Sequence, residues 1–225
     1  MIKKFGNPER KNAELIFKIK NTKIDLHYIK NKDDFRDKIL YSIDPQDNIL
    51  DIGRGMREKY KNLVCKNKET LDVNKFEGYP DIIFDICSKL DTSLVEKYDK
   101  IICLAVLEHV YNPFLAVNNL KSMLKKNGIL FGYVPYLYHY HAPSDLKFQD
   151  YFRFSKDALI YLFRDYSDLK LFPIRGRLST LLNILFPGRW KKYIEKTQLN
   201  TFLDKFFSDD SNIKQCSGFN FIAKK

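Results

Sequence analysis

The sequence has few cysteines, and none is arranged for chemistry. Cys65, Cys87, Cys103 and Cys216 form no CxxC pair and no Cys/His cluster, which argues against a thiolate metal site and a disulfide framework; they read as reduced and mostly buried. Long apolar runs are missing too. Nothing approaches the roughly 18 residues that a membrane-spanning helix requires, and "MIKKFGNPERKNAEL" contains no apolar stretch of signal-peptide length. The expectation is a cytoplasmic protein. The chain shows no internal repeat, no linker and no implied metal site.

What is present is an ordinary apolar content under an unusual charge. At 225 residues and 44% hydrophobic, the chain can bury one substantial core. Its formal charge of +11 favours an anionic partner, whether nucleic acid, a membrane face or a phosphorylated substrate, or else reflects a lysine-rich solubilising surface. No added RNA-binding domain and no RNP-like aromatic motif accompanies the charge, which argues against nucleic acid.

Short apolar runs alternate with helix-like stretches from Asp33 to about Phe163, the pattern of a parallel sheet covered by helices. The expected strands are Asn48–Ile52, Glu69–Val73, Asp81–Ile86, Lys100–Leu104 and Ile129–Val134, apolar on both faces as central parallel strands are. "DLKLFPI" and "GFNFIAKK" supply two more. A helix over Asn112–Lys126 has a cap in Asn112, Pro113 at its first position, a stripe of Val117, Leu120 and Leu124, and Lys125 and Lys126 at the negative end of its dipole. Another starts at Ser155 and buries Leu159, Leu162 and Phe163. The stretch after Leu178 reads as helical with a break at Pro187-Gly188, whereas residues 1–32 are open between strands, a helix and an extended arm.

The stretch "ILDIGRGMREKY" ends a strand in Asp51 and turns through Gly53 and Gly55, which lets backbone N–H groups and a helix N-terminus approach a ligand. Asp72 closes the next strand, 72−51=21 positions on, a spacing that suits an acid holding two ribose hydroxyls. A nicotinamide-dependent enzyme would satisfy both signals. The segments that separate the possibilities are "YDKIICLAVLEHVYNPFLAVNNLKSMLKKNGILFGYVP", with its Leu107-Glu108-His109 turn and Lys126-Asn127-Gly128-Ile129 corner, and "YHYHAPSDLKFQDYFRFSKDALIYLF".

In order, over roughly Lys38 to Phe172, these segments resemble class I S-adenosylmethionine-dependent methyltransferases of the type 11 kind. The second is similar to the Tyr, His and "DYxRxT" elements of members associated with surface-glycan biosynthesis. The resemblance implies a Rossmann-like α/β fold with a mostly parallel seven-stranded sheet, helices on both faces and a C-terminal antiparallel strand. It also implies one methyltransferase domain, with residues 1–32 as an extension, 33–172 as the cofactor-binding core and 173–225 as C-terminal helices and last strand. S-adenosyl-L-methionine is the implied cofactor. Gly53 and Gly55 would face its methionine end, Asp72 its ribose, and Asp85 and Ile86 its adenine, with Leu104 against the ligand after the fourth strand and Asp51 also counted among the cofactor-binding residues. The family commonly has a small residue where this chain has Arg57. That guanidinium either pairs with the cofactor carboxylate, occupies its place, or points to the surface; the retained glycines, Asp72 and Leu-Glu-His turn favour a working site.

An activated methyl needs little acid–base machinery beyond alignment, but a hydroxyl acceptor must lose a proton, and histidine suits that task. His139 and His141 follow the fifth strand and His109 the fourth, at the ends where parallel sheets bind ligands. His141 is the expected base, with Tyr138 and His139 shaping the acceptor pocket, and Tyr151 and Arg153 lying beside the cofactor, gripping an anionic acceptor, or locking the loop as a buried Tyr and a paired Arg. The expected acceptor is a small carbohydrate or phosphate-bearing precursor of a surface glycan. Residues 178–207 mix apolar side chains with Arg189, Lys191 and Lys192, as a lid, a peripheral contact with the inner, anionic membrane face, or ordinary packing. Two readings stand beside this one: a non-catalytic methyltransferase-like binding protein, and an RNA-directed methyltransferase.

Overall fold

The computed structural model describes residues 8–22, 32–53, 63–142, 148–186, 199, 202–203 and 214–225. Seven strands make one sheet: β1 (Asn48–Ile52), β2 (Asn67–Asp72), β3 (Ile82–Ile83), β4 (Tyr98–Leu104), β5 (Leu124–Pro135), β6 (Asp168–Ile174) and β7 (Gly218–Lys224). Their order is β3-β2-β1-β4-β5-β7-β6. Strands β1 to β5 are parallel, and β7 runs antiparallel between β5 and β6. The order reverses between β1 and β4. In an open α/β sheet the carboxyl ends at such a reversal leave a crevice, because the connections depart to opposite faces.

Alternation along the central strands divides the core in two. Leu50 and Ile52 of β1 and Ile101 and Cys103 of β4 face α3 (Pro113–Met123), through Val117 and Leu120, and α4 (Lys156–Leu162), through Leu159. Ile49 and Ile102 face the other way, with Phe131 and Phe172, onto Phe35 and Ile39 of α2 (Lys32–Tyr41). The period of two is the pleat itself, since successive side chains leave a strand on opposite faces. Within residues 1–32, α1 (Pro8–Asn21) is a helix laid on the α4 side, where Lys18 Nζ donates to the Arg164 carbonyl at 2.7 Å and Lys156 Nζ reaches the Ile19 carbonyl at 3.4 Å.

Several expected boundaries move: β2 and β4 begin earlier than expected and β5 extends at both ends. Asn112 caps α3 as its sequence implies, its side chain accepting from Leu115 N–H, but the helix stops at Met123. Leu124 is already extended and pairs with Tyr98 of β4, so Lys125 and Lys126 lie on β5. Lys125 there pairs with Asp99 at 2.7 Å instead of meeting a helix dipole. The strand expected over Asp81–Ile86 shortens to Ile82–Ile83, because the Asp85 carboxylate turns back to accept the Cys87 N–H at 2.8 Å. Finally, α5 spans Arg177–Leu185, while the expected break at Pro187-Gly188, together with Arg189, Trp190, Lys191 and Lys192, lies outside the described residues. Among those described, no helix is long and apolar enough to cross a membrane.

Candidate active site

At the reversal point the strand ends open into a cleft of about 440 Å³, within the usual range for small-molecule sites, about 300–1,000 Å³. Strand β1 delivers Ile52 and Gly53, β2 delivers Leu71 and Asp72, and β4 delivers Leu104; Phe84, Asp85 and Ile86 come from the turn after β3. Gly53 has φ +78°, and a Cβ there would stand 3.0 Å from Val106 Cγ2. A side chain at this position would be strained by the backbone and pressed against the opposite wall.

The walls are mostly apolar, and Asp72 and Asp85 are the acids among them. Asp72 Oδ1 accepts from the Asn74 backbone at 2.8 Å, and Tyr79 Oη lies 3.5 Å from Oδ2 while donating to the Gly53 carbonyl. That ring joins the β1 turn to the β2 acid. Asp85 Oδ2 accepts from Tyr111 Oη at 3.1 Å. Leu104 is buried and Ile86 closes the floor. Asp51 is buried as well and does not line the cleft, so its place is under the turn. Gly55 and Arg57 lie outside the described residues.

Beyond the cleft, His109 and Tyr151 form the wall with Phe148. His109 belongs to a short 3-10 turn, Leu107–His109, after β4. The preceding residue, Glu108, is wholly buried, and neither of its carboxylate oxygens has a hydrogen-bond partner among the described residues. Two imidazoles point at it: Nε2 of His109 lies 3.8 Å from Oε1, and Nε2 of His141 lies 3.6 Å from the same oxygen. The opposite ring nitrogens are engaged elsewhere. His109 Nδ1 is 2.8 Å from the Gln149 carbonyl, and His141 Nδ1 is 3.2 Å from the His139 carbonyl and 3.3 Å from Asp150 Oδ2. The buried Glu108 carboxylate foremost, with Asp150 adding to it, raises the pKa of His141 against the opposing effect of burial.

The structure therefore sorts the histidines differently from the sequence. His109 reaches the cleft, His141 stands behind it with ring centroids 4.9 Å apart, and His139 is exposed and stacked on Tyr138 at 4.2 Å. Arg153 is a strut. Its Nε donates to the Tyr138 carbonyl, Nη1 to Asp150 Oδ1 and the Phe152 carbonyl, and Nη2 to Asp150 Oδ2 and the His139 carbonyl. A guanidinium has five N–H groups, so no donor remains for an acceptor, and the expectation of an anion grip at Arg153 gives way to a locked loop. Arg153 foremost holds Asp150 down at about 2. Tyr138 joins that loop through its carbonyl and does not line the cleft. Sequence reasoning passed over Glu108; its signal was an acid inside an apolar run, between Leu107 and a histidine.

No protein-family model matches the chain, and no curated protein matches it. Solved structures do. A S-adenosylmethionine-dependent methyltransferase from Archaeoglobus fulgidus is 16% identical, with a TM-score of 0.55 over 86% of this chain and 92% of its own. Phosphoethanolamine N-methyltransferase 2 of Haemonchus contortus, in complex with phosphomonomethylethanolamine and S-adenosylhomocysteine, is 14% identical, with a TM-score of 0.55 over 88% of this chain and 53% of its own. The fold is the class I methyltransferase fold. The (4+2)-cyclase SpnF is also similar, 14% identical with a TM-score of 0.51 over 96% of this chain and 94% of its own, so this fold does not by itself name a reaction. The cleft holds Asp72, Asp85 and His109, with His141 beside His109 outside its lining.

Proposed function

We propose that the protein is a S-adenosylmethionine-dependent methyltransferase acting on an oxygen of a small carbohydrate or phosphate-bearing acceptor, as a precursor of a surface glycan. The observation that carries the cofactor assignment is the pair of acids, Asp72 at the end of β2 and Asp85 in the turn after β3, set in a largely apolar cleft. A nucleoside has that distribution of chemistry, with hydroxyls on the ribose, an amino edge on the base, and an apolar body. Asp72 would accept from the ribose hydroxyls and Asp85 from the adenine edge, with Ile86 and Leu104 against the rings and the Gly53 turn leaving backbone room for the amino-acid end. When bound, the cofactor supplies an activated methyl. The chain's own task is to align the acceptor beyond it and deal with the acceptor's proton. His109 on the cleft wall, with His141 and Glu108 behind it, is the group of residues placed for that. The glycan acceptor is supported by the sequence resemblance of 138–163 and by the positive charge.

Calorimetry with S-adenosylmethionine and S-adenosylhomocysteine tests the cofactor. A lost hydrogen bond to a charged group is worth about 1.5–3 kcal/mol, so Asp72→Ala should weaken affinity by roughly 10-fold to 150-fold. No binding at millimolar ligand, or an unchanged Asp72→Ala, sinks the reading. Labelled-methyl transfer to nucleotide sugars, glycan fragments and bulk RNA tests the acceptor, and incorporation into RNA alone would replace the sugar with RNA.

A further inference from the structure

We propose that Glu108, His109 and His141 form a binding site for one divalent first-row transition-metal ion at the acceptor end of the cleft. Three observations converge on it. First, the ligand atoms of these residues all lie within 4.8 Å of one another, with both Nε2 atoms directed at one carboxylate oxygen at 3.8 and 3.6 Å. Two ligand atoms each about 2.1 Å from one ion stand about 3.0–3.4 Å apart in octahedral or tetrahedral geometry, so small side-chain rotations bring the set into range.

Second, the Glu108 carboxylate is fully buried and neither oxygen accepts a hydrogen bond among the described residues. A buried carboxylate without hydrogen bonds is costly unless positive charge compensates it; the adjoining imidazoles can supply that charge when protonated, and a cation held between the three side chains would supply it while they stay neutral.

Third, each imidazole is oriented as metal-bound histidines are. A ligating histidine hands its other ring N–H to a carbonyl or carboxylate, which fixes the tautomer and aims the free nitrogen. Here the Gln149 carbonyl takes His109 Nδ1, and the His139 carbonyl and Asp150 carboxylate flank His141 Nδ1. The saturated Arg153 holds Asp150 and the His139 carbonyl in turn. Two imidazoles with one carboxylate suit zinc, manganese or ferrous iron better than magnesium or calcium, which prefer all-oxygen sites.

His109 also lines the cleft, so an ion held by this set would be within reach of a ligand there. There it would bind the acceptor oxygen and make its proton easier to lose, with the histidines serving as ligands and not as bases. That purpose rests on the methyltransferase reading, whereas the site itself stands on geometry.

The test uses the full chain, stripped with a chelator and dialysed. Titration with zinc and with manganese, followed by metal analysis after gel filtration, is expected to give one ion per chain, and cobalt loading a visible d–d spectrum with nitrogen and oxygen ligands. Glu108→Gln and His109→Ala should each lose stoichiometric metal and the cobalt bands, while His139→Ala keeps both. If a ligand variant is poorly folded, His141→Ala with a circular-dichroism check replaces it. No ion retained by the folded wild type, or retention unaffected by all three ligand variants, overturns the proposal. S-adenosylhomocysteine binding is measured on the stripped protein in parallel. Nucleoside binding by a folded wild type that takes up no ion on titration would leave the methyltransferase reading standing and the metal site refuted.

Discussion

Five N–H groups leave the Arg153 guanidinium, and each ends on an oxygen of its own loop. Its planar fork binds both Asp150 oxygens while spanning three carbonyls, a task lysine cannot repeat with a single ammonium and three donors. Arg153→Lys should therefore leave two or more loop oxygens without partners and lower stability by about 1–3 kcal/mol in urea unfolding. Amide exchange should quicken at His141, whose N–H donates to Asp150 at 2.9 Å. A variant with unchanged unfolding and only a raised KM would instead restore the anion grip expected from sequence. Tertiary pairing decides between these two roles. The "DYFR" stretch shows an acid three residues before an arginine, but not the Tyr138 and His139 carbonyls at the start of the same loop, just after β5. Glu108 was harder still, since its partner histidine lies 141−108=33 positions away and no local spacing joins them.

Elements were more legible than residues where periodicity and chemistry agreed. The β1 and β6 bounds follow the apolar runs "NILDI" and "DLKLFPI" to the residue, and Asn112 and Ser155 cap the helices they precede. The end of α3 was illegible because Leu124 continues the helical stripe but is claimed by pairing with β4, a long-range contact that overrides local pattern. The antiparallel last strand was expected from the family resemblance and not from local pattern, and its pairing with β5 rests on a close approach: Gly132 faces Phe221, and a Cβ at Gly132 would run into the ring. Phe221 is buried and packs on Phe163 with centroids 4.7 Å apart, so it has no room to swing away. Gly132→Ala should cost about 1–3 kcal/mol through overpacking. Adding Phe221→Leu should recover part of that loss, giving a double variant more stable than the sum of the singles predicts. Strict additivity would show that the ring is not the obstruction.

At the scale of the molecule, the site lies at one end of a sheet carried by a chain of formal charge +11. S-adenosylmethionine, the proposed cofactor, is itself cationic at neutral pH, so the overall field would do nothing to draw it in; the acids Asp72 and Asp85 line the cleft locally instead. The field acts on the other ligand. Long-range attraction raises the encounter rate of an oppositely charged substrate and fades as salt shortens the Debye length, from about 30 Å at 0.01 M to about 8 Å at 0.15 M. If the acceptor is anionic, as proposed, kcat/KM for a nucleotide-linked sugar should fall several-fold over that salt range. The same measurement on an uncharged sugar accepted by the enzyme should stay nearly flat, and so should calorimetric affinity for S-adenosylhomocysteine. Initial rates with labelled cofactor at four or five salt concentrations separate the slopes. Parallel slopes for charged and uncharged acceptors would mean that the lysines serve solubility or another surface, and that the acceptor site does not use the charge.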